Sequence, residues 1–163
     1  MGKAGEAGRQ EGQEGTTAGE AETAGRANCR IHASGLMSPI EYRDGFDAAD
    51  FVALANRVWP REYDEARAAA AIMRTINIGA WDGARLVGAV RVLSDGYLFS
   101  TVPEILVEPQ YQRRGIGREL MRRALDRAPR GALFFGAQSQ SVRFFERIGC
   151  TRGPVGFVLR RTG

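Results

Sequence analysis

Six consecutive residues, Gln112-Arg113-Arg114-Gly115-Ile116-Gly117, carry the clearest chemical signal in this chain. The two glycines let backbone N–H groups approach a ligand with no Cβ in the way. Apolar residues recur at helical spacing from Ile116 onward, so a helix opens at Gly115. Its first N–H groups have no partner inside the helix, and its dipole end is positive. A strand ending near Val107, a short turn and this helix start together make an anion site suited to phosphate or pyrophosphate. Arg113, Arg114 and Arg118 add charge at the same place. A Walker loop needs Gly-Lys-Ser/Thr, and that triplet is absent. A dinucleotide fingerprint needs Gly or Ala where Leu120 stands, inside a first βαβ unit that this chain lacks.

The second chemical candidate is a carboxylate. Glu104 is the only one in the apolar run Leu98–Val107, which reads as a strand with Pro103 inside it. Placed beside a reacting amine, it would serve as general base. Side chains alternate along a strand, so Glu104 and Thr101 face opposite ways unless a bulge intervenes. A glutamate that binds nearby backbone amides is the structural alternative. Asp95, in the turn Ser94-Asp95-Gly96, is a second candidate that turn formation alone also explains.

What is missing narrows the chemistry further. Of 23 cationic residues, 22 are Arg and only Lys3 is Lys; the single His is His32. A Schiff-base lysine, a Ser–His triad and a His-rich metal site therefore lack raw material beyond the first 37 residues. Cys29 and Cys150 form neither a disulfide framework nor a metal spacing, and Cys150 reads as a structural thiol. A reducing, cytoplasmic setting follows as the expectation.

These groups need elements to position them. Residues 1–37 contain none of the 14 aromatics and read as a disordered low-complexity tail, with no apolar core of a signal peptide. Residues 38–163 read as one domain. Ile40–Tyr42 is a weak strand. Asp47 caps a helix that Pro60 ends, and Glu62–Arg74 is a second helix. Ile76–Trp81 and Leu86–Leu93 flank Asp82-Gly83 as a hairpin, and Leu98–Val107 is the next strand. A helix follows from Gly115 to Ala128, with the row Ile116, Leu120, Ala124 and Ala128. Ala132–Ala137 reads as a buried strand. Ser139 or Ser141 caps a short helix that stops at Gly149, and Val155–Leu159 is a last strand. The order is β-αα-βββ-α-β-α-β, an α/β domain with a mixed sheet.

Charge is divided unevenly along this order. Residues 1–37 carry net −1. Residues 38–108 carry seven cations and eleven anions, net −4, and residues 109–163 carry twelve and three, net +9. The basic third surrounds the anion loop. It shows no zinc, RRM or helix-turn-helix signature, so nucleic acid is not the expected partner. No run of 18 apolar residues exists, so no membrane-spanning segment is expected.

The hexapeptide Gln112–Gly117 fits Gln/Arg-x-x-Gly-x-Gly/Ala and resembles the acyl-CoA loop of the GNAT superfamily of N-acetyltransferases. Ile105-Leu-Val-Glu-Pro-Gln-Tyr111 looks like that family's strand and turn, and Phe144-Phe-Glu-Arg-Ile-Gly149 like its later helix. The likeness covers residues 38–163, and the order of elements is similar. It implies a GNAT-like mixed sheet with a splayed central strand pair and flanking helices. It implies acetyl-CoA as co-substrate and no metal. The pantetheine would run along Ile105, Leu106 and Val107, and the pyrophosphate would rest on the amides from Arg113 to Arg118. Gln138 stands where the family often has Asn. Arg147 holds a commonly basic position; approach to the cofactor phosphates and a solvated face shared with Arg143 are the two readings.

The resemblance also implies direct transfer from thioester to a primary amine, here expected to belong to a small molecule, in a ternary complex. Glu104 is the base in that reading. Trp59 and Tyr63 would line the acceptor pocket, where cation–π contact suits an ammonium; core packing is the alternative. There is one departure. Phe145 stands where the family often has a Tyr that protonates the leaving thiolate. A non-catalytic acyl-CoA-binding regulatory module is the competing function. A homodimer is the expected assembly on general grounds.

Overall fold

The computed structural model describes residues 39–153 and 159–161. The tail 1–37 and most of the expected strand Val155–Leu159 lie outside the described residues.

Three stretches of alternating or continuous apolar residues pair side by side. A short strand β1 (Glu41–Asp44) precedes them, and β2 (Ile76–Asp82), β3 (Arg85–Ser94) and β4 (Ser100–Val107) follow. The sheet is antiparallel in the order β1-β2-β3-β4. Asp82 and Arg85 close the β2–β3 hairpin around Gly83, whose φ of +61° is the left-handed conformation a tight turn demands. At the next turn, Asp95 accepts the backbone N–H groups of Tyr97, Leu98 and Phe99 at 2.8–3.0 Å. Those three N–H bonds hold its carboxyl below the usual carboxylate range. The turn thus takes residues that sequence periodicity assigns to a strand, and β4 begins at Ser100.

Helices cover both faces. On one side lie α1 (Ala48–Val58) and α2 (Glu65–Ile72), capped by the Asp47 and Asp64 side chains. The second helix is shorter than its Ala-rich composition suggests, because the Asp64 cap sets its start. Phe51, Leu54 and Ala55 of α1 bury against Trp81, Leu86, Ala89 and Leu106 of the sheet. On the other side lies α3 (Ile116–Asp126). Its residues Ile116, Leu120, Met121 and Ala124 pack on Ile78, Val90, Val92 and Val102. Burying each such Leu, Ile or Val contributes about 1.5–3 kcal/mol. Gly88 lets α3 come close: a Cβ there would meet Ile116 at 3.1 Å and Leu120 at 3.2 Å. Leu125, on the outer flank of α3, is exposed.

The segment 132–137 differs from the expected buried strand. It joins the sheet through one parallel bridge, Thr101 to Phe134, made by Phe134 N–H to Ser100 O and Val102 N–H to Phe134 O. Its apolar run alternates. Leu133 and Phe135 pack toward the core, while Phe134 is exposed and stacks on Phe99 at 5.1 Å. Beyond that bridge β4 and this segment part. A short helix α4 (Val142–Arg147) follows and ends at Gly149, φ +94°. Neither Ser139 nor Ser141 caps it with its hydroxyl; a 3-10 turn over Ser139–Ser141 leads in instead. The four-stranded sheet with flanking helices agrees with the expected α/β architecture, and the element order agrees as far as α4 except that 132–137 contributes one bridge in place of a strand.

Candidate active site

β4 is bulged where Pro103 interrupts it. Arg91 pairs with Glu104, yet Leu93, two residues on, pairs with Thr101, three residues back. The extra residue on β4 shifts the alternation by one. Glu104 and Thr101 therefore share a face of the sheet, although three residues separate them. Val102 stays in the α3-side core, and Glu104 turns toward α1.

The Glu104 carboxylate lies 3.0 Å from the Arg91 guanidinium, and both side chains are largely buried, at 18% and 12% exposure. Arg91 also lies over the Phe51 ring at 5.5 Å. Burial pushes the Glu104 carboxyl above its ordinary value, with Arg91 and then Arg61 pulling against it. Burial that raises the carboxyl makes its ionised form the stronger base.

Glu104 borders a cleft of about 100 Å³, which also touches Trp59, Ile105, Phe135, Gln138 and Phe145. The cleft opens where β4 and segment 132–137 diverge, so it follows from the single bridge. Among the expected site residues, the structure gathers Glu104, Ile105, Gln138 and Trp59 around it. Trp59 is 39% exposed, and its carbonyl accepts the Tyr63 hydroxyl at 3.0 Å. Tyr63 supports Trp59 from behind and is packed against the α1–α2 core. Leu106 is buried in that same core. Asp95 serves its own turn and does not border the cleft.

The loop after β4 is built in two steps. A 3-10 turn, Pro109–Tyr111, is fixed by Tyr111 N–H to Glu108 O at 2.8 Å, and the Tyr111 hydroxyl donates to Asp82 at 2.8 Å. The Gln112 side-chain amide donates to Val107 O at 3.0 Å, which makes it a brace of the turn. Arg113 then takes φ +61° and Gly115 φ +84°. The first backbone bond of α3 runs from Glu119 N–H to Gly115 O. The amides of Ile116, Gly117 and Arg118 thus have no partner within the helix. Ile116 is buried on the core side and offers only that amide. Arg113, Arg114 and Arg118 are exposed around it, with Arg114 over the Tyr111 ring at 5.0 Å.

Gly117 is small for a packing reason. A Cβ there would meet the Phe144 ring at 3.0 and 3.3 Å, so α4 seats directly on the start of α3. Phe145 of the same helix is buried, touches Phe135 at 4.7 Å and faces the cleft with an apolar edge. Arg147 and Arg143 are both exposed on α4.

Sequence reasoning missed Glu108. It is 5% exposed, it ends the strand, and it pairs with Arg57 at 3.0 Å and Arg85 at 2.5 Å. Its only sequence signal was an acid beside a turn proline.

A strand, a braced turn, a glycine-opened helix start and a cleft on the same strand define a class of protein: an α/β domain with an amide-rich loop at the end of a sheet strand. Residues 47–153 match the acetyltransferase (GNAT) domain, and the chain belongs to that family. A Glycine max protein named Histone acetyltransferase TAP1 is 30% identical over 139 residues, 75% of this chain and 60% of that one. The chain spans 56% of a second soybean relative, so it is shorter than the curated proteins it matches. A GNAT-family acetyltransferase from Streptococcus pneumoniae superposes with a TM-score of 0.60 at 23% identity, covering 76% of this chain and 98% of that one. An aminoglycoside 6'-N-acetyltransferase from Acinetobacter baumannii gives 0.59 at 15% identity, covering 77% and 100%. At those identities the superpositions speak to fold.

Among the described residues, no group of three or more His, Cys, Asp or Glu side chains could hold a metal. No described helix is long and apolar enough to cross a membrane.

Proposed function

We propose that the protein is an acetyl-CoA-dependent N-acetyltransferase that acetylates a primary amine of a small molecule by direct transfer in a ternary complex. The observation that carries this reading is the continuity of the glycine-opened loop with the Glu104 cleft along one strand. Its family uses acetyl-CoA. The pyrophosphate would take the amides of residues 113–118 and the Arg113, Arg114 and Arg118 side chains. Gln112 would brace the turn beneath it, and Arg147 could reach the outer phosphates. The pantetheine would run along the outer edge of β4 past Ile105, Leu106 and Val107, with Gln138 across the cleft.

The acceptor enters from the Trp59 side, with Tyr63 holding Trp59 in place. Its nitrogen lone pair attacks the thioester carbonyl carbon, the C–S bond breaks, and the amine proton passes to the Glu104 carboxylate, directly or through one water. Phe145 has no proton to give, so the thiolate leaves as such or takes a proton from water. A thiol with a pKa of about 8.5 is a tolerable leaving group near neutral pH.

The cleft is narrow, about 100 Å³, which favours a slender amine over a folded protein surface. A histone-type acceptor, as named for the soybean relative, is the competing acceptor class. The regulatory acyl-CoA-binding module remains the second reading, favoured by Phe145.

Acetyl-CoA at 100 times its Kd should stabilise the fold by about 2.7 kcal/mol, and the melting temperature rises by several degrees. Arg118→Glu, an exposed charge reversal beside the loop, abolishes the rise. A CoA-release screen over polyamines, aminoglycosides, amino acids and histone peptides then names the acceptor. No shift with millimolar acetyl-CoA refutes the reading, and binding without CoA release from any amine supports the regulatory module. Turnover with histone peptides alone moves the acceptor to protein.

A further inference from the structure

We infer that Glu108 is a positioning residue for the cofactor loop, gripped by Arg57 of α1 and Arg85 of β3 so that the turn after β4 presents its amides in one register. The inference rests on the acetyl-CoA reading above and adds a residue that the motif does not contain.

Four contacts converge on this one side chain and its amide. Arg57 Nε donates to one carboxylate oxygen at 3.0 Å. Arg85 Nη2 and Gln110 Nε2 donate to the other, at 2.5 and 2.8 Å. The Glu108 N–H donates to Val87 O at 2.9 Å. Arg57 is itself fixed, because its Nη2 donates to Leu86 O at 2.6 Å. The donors come from α1, β3 and the turn itself, so the carboxylate is held in three directions.

Burial makes the grip stiff. Glu108 is 5% exposed, and a buried carboxylate with two guanidiniums is held by charge-assisted bonds in weakly screened surroundings. The Glu108 carbonyl then accepts the Tyr111 N–H that closes the 3-10 turn. Gln112, Arg113 and Gly115 follow within seven residues. A turn displaced by about 1 Å would spoil several amide-to-phosphate bonds together. The Arg122 side chain, by contrast, makes its bonds with Glu119 and Asp126 within α3.

The test is calorimetric titration of the full chain with acetyl-CoA. Glu108→Gln keeps the shape and removes the charge. It should raise the Kd about tenfold, at unchanged stoichiometry, and raise the acetyl-CoA KM while kcat at saturation stays within about twofold. Arg85→Gln, at a half-exposed residue, should raise the Kd less, and the double variant should be no worse than Glu108→Gln alone. Arg122→Gln, which loses a surface ion pair, should leave the Kd unchanged. A merely structural Glu108 would show itself as lost stoichiometry and a lowered melting temperature with a wild-type Kd, and that result overturns the inference. If the wild-type protein itself gives no binding heat, the acetyl-CoA reading falls and this one with it.

Discussion

Glu104 stands in register with Arg91 across the β3–β4 ladder, its carboxylate 3.0 Å from the guanidinium and largely out of water. The pair contains opposing influences. Burial raises the carboxyl, and Arg91 lowers it. A base works only when deprotonated, so kcat/KM should fall on the acid side as Glu104 takes up its proton. Removing Arg91 removes a lowering influence. Arg91→Met therefore moves the acid limb of the kcat/KM profile to higher pH, and a limb that stays put would exclude Glu104 as the titrating group.

Two carboxylates compete for the base, and their surroundings separate them. Asp95 is occupied by three backbone N–H groups of its own turn. Glu104→Gln should lower kcat by about 10²–10⁴-fold with acetyl-CoA binding retained. Asp95→Ala should lower the melting temperature and leave kcat near wild type. The reverse pattern would reassign the base.

Phe145 can be given the proton it lacks. Its ring borders the cleft, and Phe145→Tyr adds a hydroxyl with little added bulk. If departure of the thiolate limits turnover, kcat rises by about tenfold or more, with a new fall on the alkaline side as the phenol ionises. An unchanged kcat says that departure needs no acid.

Gly117→Ala should destabilise the fold although alanine is the better helix former. The methyl group would sit 3.0 Å from the Phe144 ring. Overpacking of this kind costs about 1–3 kcal/mol, against roughly 1 kcal/mol returned by helix propensity. Phe144→Leu in the same chain should recover part of the loss, which a double-mutant cycle on melting temperature measures.

Much of this arrangement was legible in the residues. Gln112–Gly117 marked the loop, because few backbone shapes need two glycines just before an apolar helical row. Asp47, Asp82-Gly83 and Gly149 marked caps and turns through local chemistry. Three things were not legible. Pro103 announced a disturbance of β4 but not its direction; only the register with Arg91 and Leu93 shows that Glu104 and Thr101 share a face. The apolar run 132–137 looked like a full strand, yet alternation sends Phe134 outward, and a single bridge forms. Glu108 showed only as an acid beside a turn proline, since its partners Arg57 and Arg85 lie 51 and 23 residues away. Contacts across such separations are set by tertiary packing, which local spacing does not encode.

The lone bridge at Thr101 and Phe134 also has a mechanical consequence. Two strands stitched along their length keep a constant spacing, whereas two chains joined at one point behave like the legs of a compass. From Phe134 to Gln138 is about 13 Å of extended chain. Turning that leg by about 5° swings its tip by about 1 Å, a useful fraction of an aliphatic chain's width. The width of the cleft beside Glu104 is therefore set at the pivot, by the hydrogen bonds of the Val102 and Phe134 amides.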